Sequence, residues 1–213
     1  MIKYNKRDNM PEATNNIGED NTRKNITHIH GSSTDELVDI LDEHGETTGS
    51  IRTKGEAHSE GLWHKAIHIW IYNSRGEILL QKRAKTKLNL PGLWDTSVAG
   101  HVSSGESFEE AAARELHEEL GIIVQLSELK KVTNCRTTYD NPEHNYHSRE
   151  LVSIYLYRLE ELPTKLQTEE VDEVRFISID ELERELSNSD TARKYAPWDY
   201  SDMINTVKRV LAQ

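Results

Sequence analysis

Three observations predict an α/β sandwich. Short runs of β-branched and aromatic residues, bounded by Gly, Pro and Asn turns, recur along the chain. Segments of helical period are interspersed among them. No internal repeat is visible, and 213 residues suit one core-bearing domain with attachments. Strands mixed with two or three helices pack best as helices layered on a sheet.

Residues 1–34 are rich in Asn, Thr, Lys, Asp and Glu, which bury too little surface to offset ordering entropy. They are expected to be a disordered tail, with His28 and His30 solvated rather than metal-bound. One domain is expected over 35–213, divided into a hairpin at 35–57, a core at 58–187 and a helical segment at 188–213. In the hairpin, Leu37-Val38-Asp39-Ile40-Leu41 leads through a turn at Gly45 to Gly49-Ser50-Ile51. It has two candidate uses: packing on the sheet, or a contact in a homodimer.

Residues 66–72 and 77–83 read as the first hairpin of the central sheet, turned by Asn73-Ser74-Arg75-Gly76. A loop at 84–94 precedes a short strand at 96–99. After the helix described below come a short strand at 122–124, a longer one at 129–139 and a turn at 140–143. Strands at 150–159 and 171–177 follow, then helices at 179–186 and 200–211.

The organising stretch is GHVSSGESFEEAAARELHEELGI, from Gly100 to Ile122. Ser107 and Glu110 form a capping box, and the following alanines and leucines favour helix. Ala113, Leu116 and Leu120 make an apolar stripe, and Gly121 can end the helix in a left-handed conformation. Glu115, Glu118 and Glu119 fall together at spacings of three and four. Unit charges about 4 Å apart repel by roughly 4 kcal/mol at an effective dielectric near 20. A hard divalent cation removes that penalty, and the Gly100 carbonyl is a further candidate ligand. The plain alternative is a solvated acidic face. The full spacing pattern, however, arises by chance only about once in 10⁹ starting positions at average residue usage.

The net charge of −11 argues against a nucleic-acid backbone or an anionic membrane as the main partner. An acidic chain that binds an anion also needs metal or local cations. No 18-residue apolar run exists and the N-terminus lacks a signal-like core. Cys135 is the one cysteine, so no internal disulfide can form. The expectation is a cytoplasmic protein.

Other constellations have open readings. His58, His64, His68 and His101 are candidate metal ligands, with His64 and His101 preferred. The alternative is a sheet residue at His68 and a polar cleft at the rest. Glu150, Glu169, Glu170, Asp172 and Glu173 are candidates to polarise water or add a ligand, with Glu150 preferred. Trp63, Trp94 and Trp198 could shape a pocket or simply pack, with Trp94 favoured.

At Gly100, Glu106, Arg114, Glu115, Leu116, Glu118, Glu119, Gly121 and Ile122 the chain resembles the Nudix hydrolases, matching every fixed position of their box. The resemblance implies an α/β/α sandwich around a mixed sheet, here with an N-terminal hairpin added. It implies hydrolysis of a small-molecule diphosphate with Mg²⁺ or Mn²⁺. Glu115, Glu118 and Glu119 would hold metal, while Glu106 and Arg114 would brace loop and helix.

From about residue 36 to 122 the chain is similar to the branch containing type I isopentenyl diphosphate isomerases and isomerase-like hydrolases. The matching residues are Leu80-Gln81-Lys82-Arg83-Ala84-Lys85-Thr86-Lys87, Pro91-Gly92-Leu93-Trp94 and Ser97-Val98-Ala99-Gly100-His101. By this resemblance Arg83 and Lys87 would grip the diphosphate. His64 and His101 would bind metal, Glu150 would match an essential Glu, and Tyr139 a catalytic Tyr. The isomerases place Cys immediately before the Gly-His pair, and here Ala99 stands there. One arm of a two-sided proton transfer is then missing, so hydrolysis is expected rather than isomerisation. The alternatives are a nucleotide or nucleotide-sugar pyrophosphohydrolase, and a non-catalytic diphosphate-binding module. An RNA-cap role lacks a basic stripe.

Overall fold

The structure, a computed structural model, describes residues 35–212, and the expected tail lies outside them. The first elements are β1 (Leu37–Leu41), β2 (Thr47–Thr53) and α1 (Lys54–Glu60). β1 and β2 pair antiparallel as a separate two-stranded sheet. α1 was not expected, and it runs across residue 57, where the hairpin was to end. Its signal is nonetheless present: Thr53 and Glu56 form a capping box, and Gly61 at φ 64° ends the helix.

The main sheet draws on β3 (His64–Tyr72), β4 (Glu77–Arg83), β5 (Trp94–Asp95), β6 (Val98–His101), β7 (Lys130–Asn141), β8 (Tyr146–Arg158) and β9 (Val171–Ser178). Its main path runs β5-β4-β3-β8-β7, with β6 also on β3 and β9 on β4. β3 and β8 are parallel and the other pairs antiparallel, so the sheet is mixed. β3 and β4 make a hairpin only at its base, where Tyr72 faces Ile78. Beyond that Ser97 separates them, accepting from Ile71 N at 2.8 Å and donating to Leu79 O at 2.6 Å.

α2 (Phe108–Leu120) covers one face of the sheet. Ala111, Ala112, Leu116 and Leu120 pack there with Ile67, Ile69 and Tyr155. The half-buried Ala113 is not part of that stripe; Ala112 takes its place. α3 (Ile179–Ser187), the short α4 (Ser189–Ala192) and α5 (Ser201–Leu211) follow β9. Leu182, Met203, Ile204 and Val207 pack on the other face with Trp70, Val152 and Ile154. The result is an α/β/α sandwich with the hairpin added at its N-terminal side. Residues 122–124 form no strand. Gly121 turns the chain off the helix in a left-handed conformation, and Ile123 is exposed. Among the described residues, no helix is long and apolar enough to cross a membrane.

Candidate active site

A cavity of about 450 Å³ opens between α1, the end of β3, the β6–α2 motif and the tip of β7 and β8. Glu115 and Glu119, one helical turn apart, form its acidic wall. A Cβ on Gly100 would stand 2.2 Å from Glu115 Cδ, so only glycine lets this carboxylate reach the cavity. Burial pushes the Glu115 carboxyl up to about 7 despite Arg114 beside it. Burial, with Glu115 and Glu170 near, pushes Glu119 up as well. A divalent cation between them reverses that cost, which is the fit expected of a metal site.

Glu118 does not line the cavity. It is bonded to Arg114 Nη1 at 3.1 Å at the rim. It stays beside Glu115, which accepts from the same Nη1 at 2.7 Å. Arg114 also donates to both oxygens of Glu106, at 3.0 and 2.9 Å, and to the His101 carbonyl at 2.9 Å. One guanidinium thus ties the motif loop to the helix. Glu36 joins from the hairpin, accepting from Lys54 at 3.0 Å and Ser103 at 2.9 Å. Asp39 accepts from Ser104 Oγ at 2.7 Å.

Across Gly100 lies a second cluster. His58, His64, His101 and Glu150 each offer one ligand atom, all within 4.8 Å of one another. Strand register brings them together: His64 faces Glu150 between β3 and β8, and Ala66 faces His101 between β3 and β6. α1 then delivers His58. The His64 Nδ1 lies 2.8 Å from the Leu62 carbonyl, so Nδ1 must donate and Nε2 keeps a lone pair. Among the described residues, buried Nε2 of His64 has no hydrogen-bond partner, and buried Nε2 of His101 has only Glu150 near it. Burial lowers His64 and pushes His101 down to about 3, so both rings are neutral donors at pH 7. Burial raises Glu150, but contacts with His101 and His58 outweigh it and hold the carboxylate ionised. Glu150 stands 3.5 Å from His101 Nε2. Three imidazoles and a carboxylate suit a transition metal.

The family model described as the NUDIX domain matches residues 62–199. The chain belongs to the Nudix family. It is therefore a hydrolase acting on phosphorus-containing anhydrides, and the hydrolases of this family depend on divalent metal. It is 35% identical over 184 residues to Nudix hydrolase 3 of Arabidopsis thaliana, covering 84% of this chain but only 24% of that longer protein. An uncharacterised Nudix hydrolase of Listeria monocytogenes is 36% identical, over 68% of this chain and 81% of its own. An isopentenyl-diphosphate Δ-isomerase of Pectobacterium atrosepticum is 34% identical, over 76% and 86%. A crystal structure from Deinococcus radiodurans shares the fold, with TM-score 0.60 and 22% identity over 82% of this chain and 98% of that one.

Within this Nudix site Arg83, Lys87 and Tyr139 line the cavity. Trp94 does not. Asp95, the next residue on the two-residue strand β5, faces the cavity, and alternation turns Trp94 the other way. Trp94 packs between Arg175, 4.4 Å from its ring centroid, and Lys82, at 5.6 Å. Trp198 forms the aromatic wall instead. Backbone bonds from Trp94 N to Lys194 O and from Ala196 N to Trp94 O bring the C-terminal segment beside β5. Trp198 Nε1 then donates to Asp95 Oδ1 at 2.7 Å.

Lys54, Gln81 and Tyr146 line the cavity without having been singled out from the sequence. Gln81 donates to Glu119 at 3.2 Å, and Tyr146 stacks on His58 at 4.2 Å. Gln81 lies in the stretch that matches the isomerase branch, and the capping box before Lys54 is the other hint. Asp172 and Glu173 are exposed, and neither lines the cavity, whereas Glu170 does.

Proposed function

We propose that this chain hydrolyses the diphosphate linkage of a small organic diphosphate, with isopentenyl and dimethylallyl diphosphate as substrates. The observation that carries the reading is Ala99. It lines the cavity beside Gly100 and His101 and has no proton to give an alkene. Cys135 is buried elsewhere, its thiol pushed up to about 12 by burial, and it does not line the cavity. Hydrolysis needs no such group.

The roles follow from position. Glu115 and Glu119, with Glu118 at the rim and the Gly100 carbonyl nearby, would hold Mg²⁺ or Mn²⁺. His58, His64, His101 and Glu150 would hold a second, softer divalent ion. A cation in these sites supplies charge neutralisation at the phosphoryl oxygens. Arg83 and Lys87 bind the diphosphate, adding local cations in an acidic protein. Arg83 is oriented for this by the Asn89 carbonyl, at 3.2 and 3.1 Å, and by Asp95 at 3.4 Å. Tyr139, Tyr146 and Trp198 face the organic group and exclude water around it.

That aromatic wall also favours a second reading, a nucleotide or nucleotide-sugar substrate with its base stacked there. The deciding experiment incubates the protein with isopentenyl diphosphate and Mg²⁺ in D₂O, followed by phosphorus and proton NMR. Released phosphate without deuterium in dimethylallyl diphosphate is the expected result. Deuterium incorporation would show an isomerase. An unchanged diphosphate, with turnover of nucleotides in a parallel panel, would establish the second reading.

A further inference from the structure

Lys87 and Glu170 form an ion pair inside the cavity, from loops 83 residues apart. Their side chains are only 26% and 24% exposed. Backbone bonds hold Glu170 from two sides. Ala84 N donates to its carbonyl at 2.9 Å, which ties it to the loop carrying Lys87. Glu170 N donates to Gln167 O at 2.9 Å, and Gln167 N to Glu119 O at 3.0 Å, which ties it to the end of α2. The close approach of this loop requires Gly121, where a Cβ would stand 2.8 Å from Lys165 Cβ. The fold thus carries one more carboxylate up to a wall that already holds Glu115 and Glu119. Crowding like charges is costly unless a cation offsets it, and Lys87 is that cation.

Arg83 is fixed by the Asn89 carbonyl and Asp95, whereas Lys87 has a flexible stem and an exchangeable carboxylate partner. A diphosphate carries more charge than one carboxylate and outcompetes it for an ammonium. We infer that Lys87 masks Glu170 in the ligand-free protein and, on turning to the substrate diphosphate, frees Glu170 to accept a proton from the attacking water. The inference rests on the diphosphate-hydrolase reading above. In the step, the water oxygen forms a bond to phosphorus as the bridging P–O bond breaks. The bonding pair leaves with the departing phosphate, and the water proton passes to the Glu170 carboxylate and then to solvent. Glu150 does not serve here, because Thr137, His58 and His101 already surround its oxygens.

The test uses the full chain and two measurements. Calorimetry with methylenediphosphonate and Mg²⁺ reads the exchange. Glu170→Gln should bind about two- to fivefold more tightly than the parent, the worth of a partly exposed ion pair. Lys87→Met should bind more weakly. Steady-state kinetics on the diphosphate that the parent hydrolyses reads the proton transfer. Glu170→Gln should lose about 100-fold in kcat with KM unchanged or lower, and formate should restore turnover to Glu170→Ala. Equal or weaker binding by Glu170→Gln would overturn the masking. A kcat within twofold of the parent would overturn the proton-accepting role. If the parent turns over no diphosphate, the hydrolase reading and the proton transfer fall together, while calorimetry still decides the exchange.

Discussion

The Glu115 carboxylate lies against the α-carbon of Gly100, with Glu115 Oε1 2.2 Å from where a Cβ would be. The motif glycine is therefore a spatial requirement of the acidic wall. Gly100→Ala should displace Glu115, since the β6 backbone is held in the sheet by β3. Turnover should fall about 100-fold, as for a displacement on the order of 1 Å at a reacting centre. Circular dichroism should show the fold retained. A variant with parental turnover would remove Glu115 from the site.

Glu115 predicts a pH-dependent stability difference. Its folded carboxyl titrates at about 7 against an ordinary 4.5, so the metal-free fold holds that proton more tightly than the unfolded chain does. The group therefore costs stability as pH rises from 4.5 through 7. Glu115→Gln should be more thermostable than the parent without metal, by a margin that grows between pH 5 and pH 8. Mg²⁺ should raise the parent's Tm more at pH 8 than at pH 5, and Glu115→Gln should lose most of that gain. Thermal melts at both pH values, with and without Mg²⁺, check all three statements.

The imidazole cluster predicts metal content. Replacing His64 or His101 with Ala should weaken Mn²⁺ or Zn²⁺ binding by at least about tenfold, measured on dialysed protein by plasma spectrometry. Replacing His117, exposed near the end of α2, should leave it unchanged. Equal metal content in all three would mean that the cluster is only a polar lining.

Asp95 is 2% exposed and joins Arg83 to Trp198. Asp95→Ala leaves the indole N–H and the guanidinium each short of a partner, at a cost of about 1–3 kcal/mol. KM for the diphosphate should rise more than kcat falls, because Arg83 loses orientation while Glu115 and Glu119 are untouched. Denaturant unfolding and steady-state kinetics separate the two effects.

Much of this was legible along the chain because its rules are local. Helical period grouped Glu115 with Glu119, and the Ser107 capping box located the start of α2. The same period did not show that Glu118, one position earlier, sits on Arg114 outside the cavity lining. Likewise Trp94 and Asp95 differ by one residue, yet only the pairing of β5 decides which of them faces the cavity.

The sequence by itself determined the family, the sandwich and the grouping of carboxylates on one helix, since spacing within a single helix carries that information. Resemblance names Arg83, Lys87, Tyr139, His64, His101 and Glu150, but only tertiary structure decided how the rest of the site meets. His58, His64, His101 and Glu150 meet because β3 runs parallel to β8 in one register and antiparallel to β6 in another. Trp198 arrives because residues 194–196 bond to β5. Glu170 reaches Lys87 because one loop bonds both to residue 84 and to the end of α2. Strand register and loop docking are set by packing between distant segments, and no local period in the chain records them.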